Sequence, residues 1–156
     1  MSGFDDIHNF TDAEGVTARY RVVGRESGQW ALLLHGHTQT SLMWRACADE
    51  LADKGFRVIV PDIGLKRANG DEAPFTKAQI ANVFQSLIDE VTRHTHPGLV
   101  IGHDLGAMIA YALAATARSR IAGLAVLEAT PPGVGFWQNL LMDPRAWHFG
   151  FYGPYA

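Results

Sequence analysis

Two hydrophobic rhythms alternate along the chain. One is the short, unbroken apolar run: Trp30-Ala31-Leu32-Leu33-Leu34, then residues 56–60 closed by Pro61-Asp62, then Leu99-Val100-Ile101, then residues 121–127 ending at Glu128. Runs of this length suit strands covered on both faces, as in a parallel sheet. Residues 17–23 alternate instead, with Ala18, Tyr20 and Val22 set against Arg19 and Arg21, and predict a strand with period two. The other rhythm is helical. Leu42, Met43, Ala46, Cys47 and Leu51 predict a helix over 42–54, capped by Ser41 and stopped by Gly55. Thr76 opens a longer helix with Ile80, Val83, Phe84, Leu87, Ile88 and Val91 on one face, ended by Pro97-Gly98. Residues 105–117 form a third, Ala-rich and carrying Met108, Ile109 and Leu113. The polar, Gly-containing stretches 24–28 and 63–74 read as a turn and a loop.

Strand and helix therefore alternate, which predicts an α/β fold with a mostly parallel sheet flanked by helices. In such sheets ligand chemistry gathers at the carboxyl ends of the strands. Polar residues stand at those ends: His35-Gly36-His37, Pro61-Asp62, Gly102-His103-Asp104 and Glu128. After Pro131-Pro132-Gly133 the composition changes, and Phe136, Trp137, Trp147, Phe149, Phe151, Tyr152 and Tyr155 crowd together. The expected organisation is a core over 1–135 and a separate aromatic segment over 136–156.

Composition narrows the function classes. With 156 residues, 47% hydrophobic and 19% charged, the chain has the balance of one folded domain. A net charge of −3 without a basic block gives no reason to expect a nucleic acid or an anionic membrane as partner. A single cysteine, Cys47, excludes an intramolecular disulfide and, with the spacing of the His, Asp and Glu residues, predicts no metal site. No phosphate loop or dinucleotide fingerprint is present, so no cofactor is expected. The N-terminus is acidic and lacks an apolar signal region, and no apolar run reaches the ~20 residues that span a bilayer. These features lead us to expect a cytoplasmic protein acting on a small molecule.

The strongest chemical signal is Gly102-His103-Asp104-Leu105-Gly106, where a buried strand meets a helix. That is the setting of a nucleophile elbow, with Asp where serine hydrolases carry Ser. An Asp nucleophile attacks saturated carbon, in an epoxide or an organohalide, and becomes an alkyl ester. The alternative role of an Asp here is to cap the helix that follows. The run Leu34-His35-Gly36-His37 adds a turn able to aim a backbone N–H at the elbow, so the N–H groups of His37 and Leu105 are the candidate oxyanion hole.

Several blocks, taken in order, resemble the epoxide hydrolase branch of the α/β-hydrolases, with haloalkane and haloacetate dehalogenases as relatives. They are His35-Gly36-His37-Thr38-Gln39-Thr40 with Trp44, Val58-Ile59-Val60-Pro61-Asp62, Ile101-Gly102-His103-Asp104-Leu105-Gly106, Pro132-Gly133-Val134-Gly135, and Trp147-His148-Phe149-Gly150-Phe151-Tyr152. The resemblance implies an α/β-hydrolase fold in which Asp104 is the nucleophile; Glu128 is the candidate relay acid, a role its position takes in some dehalogenases, the alternative being a solvent-facing strand-end residue. The resemblance also implies that 136–156 begins a cap. His35, Trp44, Trp147 and His148 are the candidate substrate contacts, with holding loops together the alternative for His35, as for His103, and aromatic packing the alternative for His148. The substrate implied is an epoxide or an organohalide.

The chain also departs from that family. Thr38 stands where the family often has Pro, and Leu105 where a Trp commonly follows the nucleophile. A dehalogenase uses that Trp N–H to hold the departing halide, so Leu105 points away from dehalogenation. Ile63-Gly64-Leu65-Lys66 replaces the family's Arg-Gly loop. The resemblance places the family's water-activating His and most of its cap tyrosines beyond residue 156. The expectation is therefore a C-terminally truncated α/β-hydrolase fold. It is read as an epoxide hydrolase-like enzyme or, alternatively, as a catalytically incomplete fragment. The strand over 121–127 would then be a bare apolar edge, a route to a homodimer.

Overall fold

The structure, a computed structural model, describes residues 3–67, 75–93, 96–130, 135, 139 and 142–146. The aromatic segment and most of its sequence-level expectations, Trp147 and His148 among them, lie outside the described residues. Seven strands form one sheet: β1 (His8–Thr11), β2 (Val16–Val23), β3 (Trp30–Leu34), β4 (Arg57–Pro61), β5 (Lys66–Arg67), β6 (Gly98–His103) and β7 (Ile121–Leu127). Their order is β1-β2-β4-β3-β6-β7, with β5 pairing the start of β2. β4, β3, β6 and β7 run parallel, whereas β1, β2 and β5 pair antiparallel. The sheet is thus mixed, and its parallel half is formed by the four predicted apolar runs; that of β7, expected to be covered on both faces, has no residue fully buried.

Three helices return the chain between strands: α1 (Arg45–Asp53), α2 (Lys77–Thr92) and α3 (Leu105–Thr116). Period two sorts the side chains of the central strands to the two faces. Trp30, Leu32, Leu34, Ile59 and Val100 pack with Phe84, Leu87, Ile109 and Leu113 of α2 and α3. Leu33, Val58 and Val60 pack with Ala48 of α1, Phe4 and Trp44 on the other face. Each such side chain contributes about 1.5–3 kcal/mol on leaving water, so these two layers hold the parallel strands in place. α2 begins as expected at Thr76, with a capping box to Gln79, and ends at Arg93 in the left-handed region (φ 47°).

Three local expectations change. The first helix starts with a 3-10 turn, Ser41–Trp44, capped by Thr40 and not by Ser41. Ser41 is buried because its hydroxyl accepts from the Arg21 guanidinium (2.5 Å) and its N–H donates to Asp62 Oδ1 (2.8 Å). β1 was not anticipated; it is a four-residue edge strand whose alternating exposure carries a weak signal. The loop expected over 63–74 contains β5, whose residues are both polar and exposed. β7 stands at the outer end of the parallel half among the described residues, with Leu124 and Leu127 about 40% exposed (39% and 42%).

Candidate active site

The carboxyl ends of β3, β4, β6 and β7 lead into residues 35–40, Asp62, Asp104 and Glu128. The tightest of these exits is the β6–α3 turn, where Asp104 adopts φ 51°, ψ −118°. A residue with a Cβ pays for a left-handed φ, so the surroundings must impose it. They do so from both sides. Asp104 N–H donates to the Leu127 carbonyl of β7 (2.9 Å), and the Asp104 carbonyl accepts from Ala107 N–H of α3 (3.0 Å). Its side chain makes no capping bond to α3. Asp104 Oδ2 accepts instead from His37 N–H at 2.8 Å, across 67 residues of sequence. The cap alternative weighed from the sequence therefore does not describe this side chain.

The loop that supplies His37 N–H is itself tied down. Gln39 N–H donates to Gly36 O (3.2 Å), and Gly36 N–H donates to Gln39 Oε1 (3.1 Å). Thr38, the third residue of this turn, has φ 62°, the region a type II turn needs at that position. A Cβ on Gly36 would come within 2.8 Å of His103 Nδ1 and 2.9 Å of Asp104 Cβ. Glycine is what lets the β3 loop lie against the β6–α3 turn.

The other expected site residues fall into distinct places. Leu105 opens α3, so its own N–H, as the first of the helix, has no acceptor one turn back within it. Glu128 is in the left-handed region (φ 51°) with its side chain 84% exposed, and its Oε2 lies 3.4 Å from His103 Nε2. Trp44, a candidate substrate contact, is buried in the core layer with Phe4, Leu33 and Val58. His35, expected at the substrate, is 4% exposed and has both ring nitrogens engaged by backbone: Nδ1 by Gly36 O (2.8 Å) and Nε2 by Ile63 N–H (3.0 Å).

Two residues outside the expected set also belong here. His103 Nδ1 lies 3.1 Å from Gln39 Oε1, which links the β3 loop to the turn and onward to Glu128. The sequence signal for Gln39 was its place three residues after Gly36, a spacing shared by countless turns. Cys47 is half-buried, and burial pushes its thiol above the usual range, away from nucleophilic use. No group of three His, Cys, Asp or Glu residues gathers as a metal site among the described residues. A cleft of about 550 Å³ lined by Trp30, His96, Pro97 and Ala122 lies at the amino ends of the strands. It is remote from Asp104, and its lining offers no carboxylate.

Comparison with known proteins bears on the fold. The sequence pattern of the alpha/beta hydrolase fold family matches residues 31–156. The AB hydrolase superfamily protein YfhM of Bacillus subtilis is 29% identical over 126 residues, covering 80% of this chain and 44% of that protein. The soluble epoxide hydrolase of Corynebacterium sp. is 31% identical over 125 residues, covering 80% of this chain and 42% of that one. The crystal structure of Cfl2 from Burkholderia cenocepacia superposes with a TM-score of 0.76 at 28% identity, over 94% of this chain and 50% of the other. The chain thus spans about half the length of the proteins it matches. No helix among the described residues is long and apolar enough to cross a membrane. The parallel core, the order of its exits and the family match together place this chain in the α/β-hydrolase fold family, with epoxide hydrolases among its relatives.

Proposed function

We propose that this chain carries the nucleophile half of an epoxide hydrolase-type site, with Asp104 as nucleophile and an epoxide as substrate. The observation that supports it most is the left-handed Asp104 whose Oδ2 is held by His37 N–H and not by its own helix. Oδ1, the oxygen His37 leaves unengaged, attacks an epoxide carbon. An ester C–O bond forms as the epoxide C–O bond breaks, and the bond pair moves to the epoxide oxygen, which takes up a proton. Water then adds to the ester carbonyl, and the developing negative charge falls on Oδ2, facing His37 N–H. Loss of one such donor costs about 10²–10³ in rate where it has been tested. Collapse breaks the bond between Asp104 Cγ and the alkyl oxygen, releasing a diol and restoring the carboxylate. The N–H of Leu105 is the proposed second donor, and Glu128 the proposed relay acid.

The release step needs a base to take a proton from water. His35 and His103, the imidazoles placed beside the turn, have both ring nitrogens engaged. Incubation of the 156-residue chain with styrene oxide, followed by intact mass measurement, is expected to show a one-to-one adduct mapped to Asp104. Diol release would show that these residues also supply the base. A lasting adduct would show that they perform capture alone. Neither adduct nor diol would sink the proposal. An alkyl halide of similar size is expected to react more slowly, because Leu105 offers a departing halide no side-chain N–H.

The edge at β7 bears on assembly. Its residues from Ala122 to Leu127 include no charge, and a bare apolar edge pairs readily with another strand. We propose that two copies of this chain pair there. Sedimentation at rising concentration is expected to show a dimer; a monomer throughout the range would remove the idea.

A further inference from the structure

We infer that His35 is a positioning residue for the oxyanion donor: as its Nδ1–H tautomer it fixes the Gly36–His37 peptide so that His37 N–H faces Asp104. The inference rests on the proposed Asp104 chemistry for its consequence, though not for its geometry. The starting point is hydrogen-bond satisfaction. A peptide N–H can only donate, so Ile63 N–H, 3.0 Å from His35 Nε2, requires an unprotonated Nε2. The ring proton therefore sits on Nδ1, where the Gly36 carbonyl, 2.8 Å away, can only accept. Asp62 Oδ1 is 3.9 Å from the same Nε2, beyond hydrogen-bond reach, and is already engaged by Ser41 N–H. A proton on Nε2 would gain a distant carboxylate and lose a good acceptor for a backbone N–H, so the contact with Ile63 decides the tautomer.

The second step is peptide geometry. No peptide bond among the described residues is cis. In a trans peptide the carbonyl and the N–H that share it point in opposite directions. Gly36 O and His37 N–H are the two ends of one such plane. His35 Nδ1–H and Gln39 N–H both hold Gly36 O (2.8 and 3.2 Å), so the other end is driven toward Asp104 Oδ2, where it arrives at 2.8 Å. Rotating that plane would break both anchors and turn a carbonyl oxygen toward the carboxylate. The ring is 4% exposed and so keeps these contacts away from water's competition. Its neighbours converge on the same arrangement. Arg21 fixes Ser41, Ser41 fixes Asp62, and Asp62 precedes Ile63, whose N–H sets the tautomer.

The test reads the tautomer first and its consequence second. Long-range ¹H–¹⁵N correlation spectra of the unreacted chain are expected to show His35 with its proton on Nδ1. A ring protonated on Nε2, or on both nitrogens, near neutral pH would overturn the inference outright. The consequence is read from the styrene oxide adduct as it decays in neutral hydroxylamine, which attacks the ester without needing a base from the protein. His35→Asn keeps a donor near the Nδ1 position and is expected to decay within a few-fold of the unaltered chain. His35→Leu removes the anchor and is expected to decay about 10- to 100-fold more slowly, approaching the loss of one oxyanion donor. Equal decay in all three would overturn the inference even if the tautomer is as expected. If no adduct forms at all, the proposed function fails, while the tautomer measurement still decides where the ring proton sits.

Discussion

Replacing Asp104 by asparagine is expected to lower the rate of adduct formation with styrene oxide by about 10⁴-fold or more, the scale of loss when a nucleophile is removed. The folded chain should survive the change. Asparagine is among the few residues that tolerate a left-handed φ, and its amide oxygen can still accept from His37 N–H. The backbone bonds to Leu127 O and from Ala107 N–H do not involve the side chain. Thermal unfolding should therefore move by no more than a few degrees. Asp104→Ala is the contrasting case. It keeps the loss of reactivity but adds about 1–2 kcal/mol for a left-handed residue without a local polar partner. Intact mass over time, paired with circular dichroism on heating, separates the two effects. A Asp104→Asn chain that forms the adduct at the original rate would place the nucleophile elsewhere.

The centre of the parallel half was legible in the sequence because β3 and β4 are buried on both faces, and double burial demands unbroken apolar runs, whereas the equally apolar β7 has no buried residue. Trp30 to Leu34 is the clearest case, with all five residues buried. The same runs place the site, since each exit from a parallel strand opens at one end of the sheet. How the exits touch was legible only as a candidate. The His-Gly turn offered His37 N–H to the elbow, but the bond to Asp104 joins residues 67 apart, and its geometry comes from the fold. His35 illustrates the difference sharply. Its position beside a strand end left both a substrate contact and a loop-holding role open, because a His-Gly pair reads alike whether the ring faces solvent or turns back onto its own loop. The burial of Trp44 was equally hidden, because an amphipathic turn does not say which face meets the core. β1 and β5 escaped notice for another reason. Edge strands bury one face or neither, so their apolar period is short or missing.

Gly106 supports the second large effect, this time on stability. An alanine there is expected to destabilise the chain by about 3 kcal/mol, at the upper end of what overpacking costs. The added Cβ would lie 2.4 Å from both the Leu34 and the His35 carbonyl oxygens. These are backbone atoms at the end of β3, the most tightly buried strand, so neither can swing aside as a flexible side chain would. Alanine also gains up to about 1 kcal/mol of helix propensity over glycine, too little to offset that clash. For a domain of this size the net loss corresponds to a fall in Tm of roughly 6–12 °C. Gly64→Ala is the control, because a Cβ at Gly64 meets nothing within 4 Å and its φ is not left-handed. It should stay within about 0.5 kcal/mol of the original. Relief of the Gly106→Ala clash must move α3 away from β3, and Asp104 immediately precedes α3 while His37 follows β3. The same substitution should therefore slow adduct formation even at temperatures where the chain remains folded. An alanine variant with unchanged Tm and unchanged adduct rate would mean that β3 and α3 do not approach as closely as the site requires.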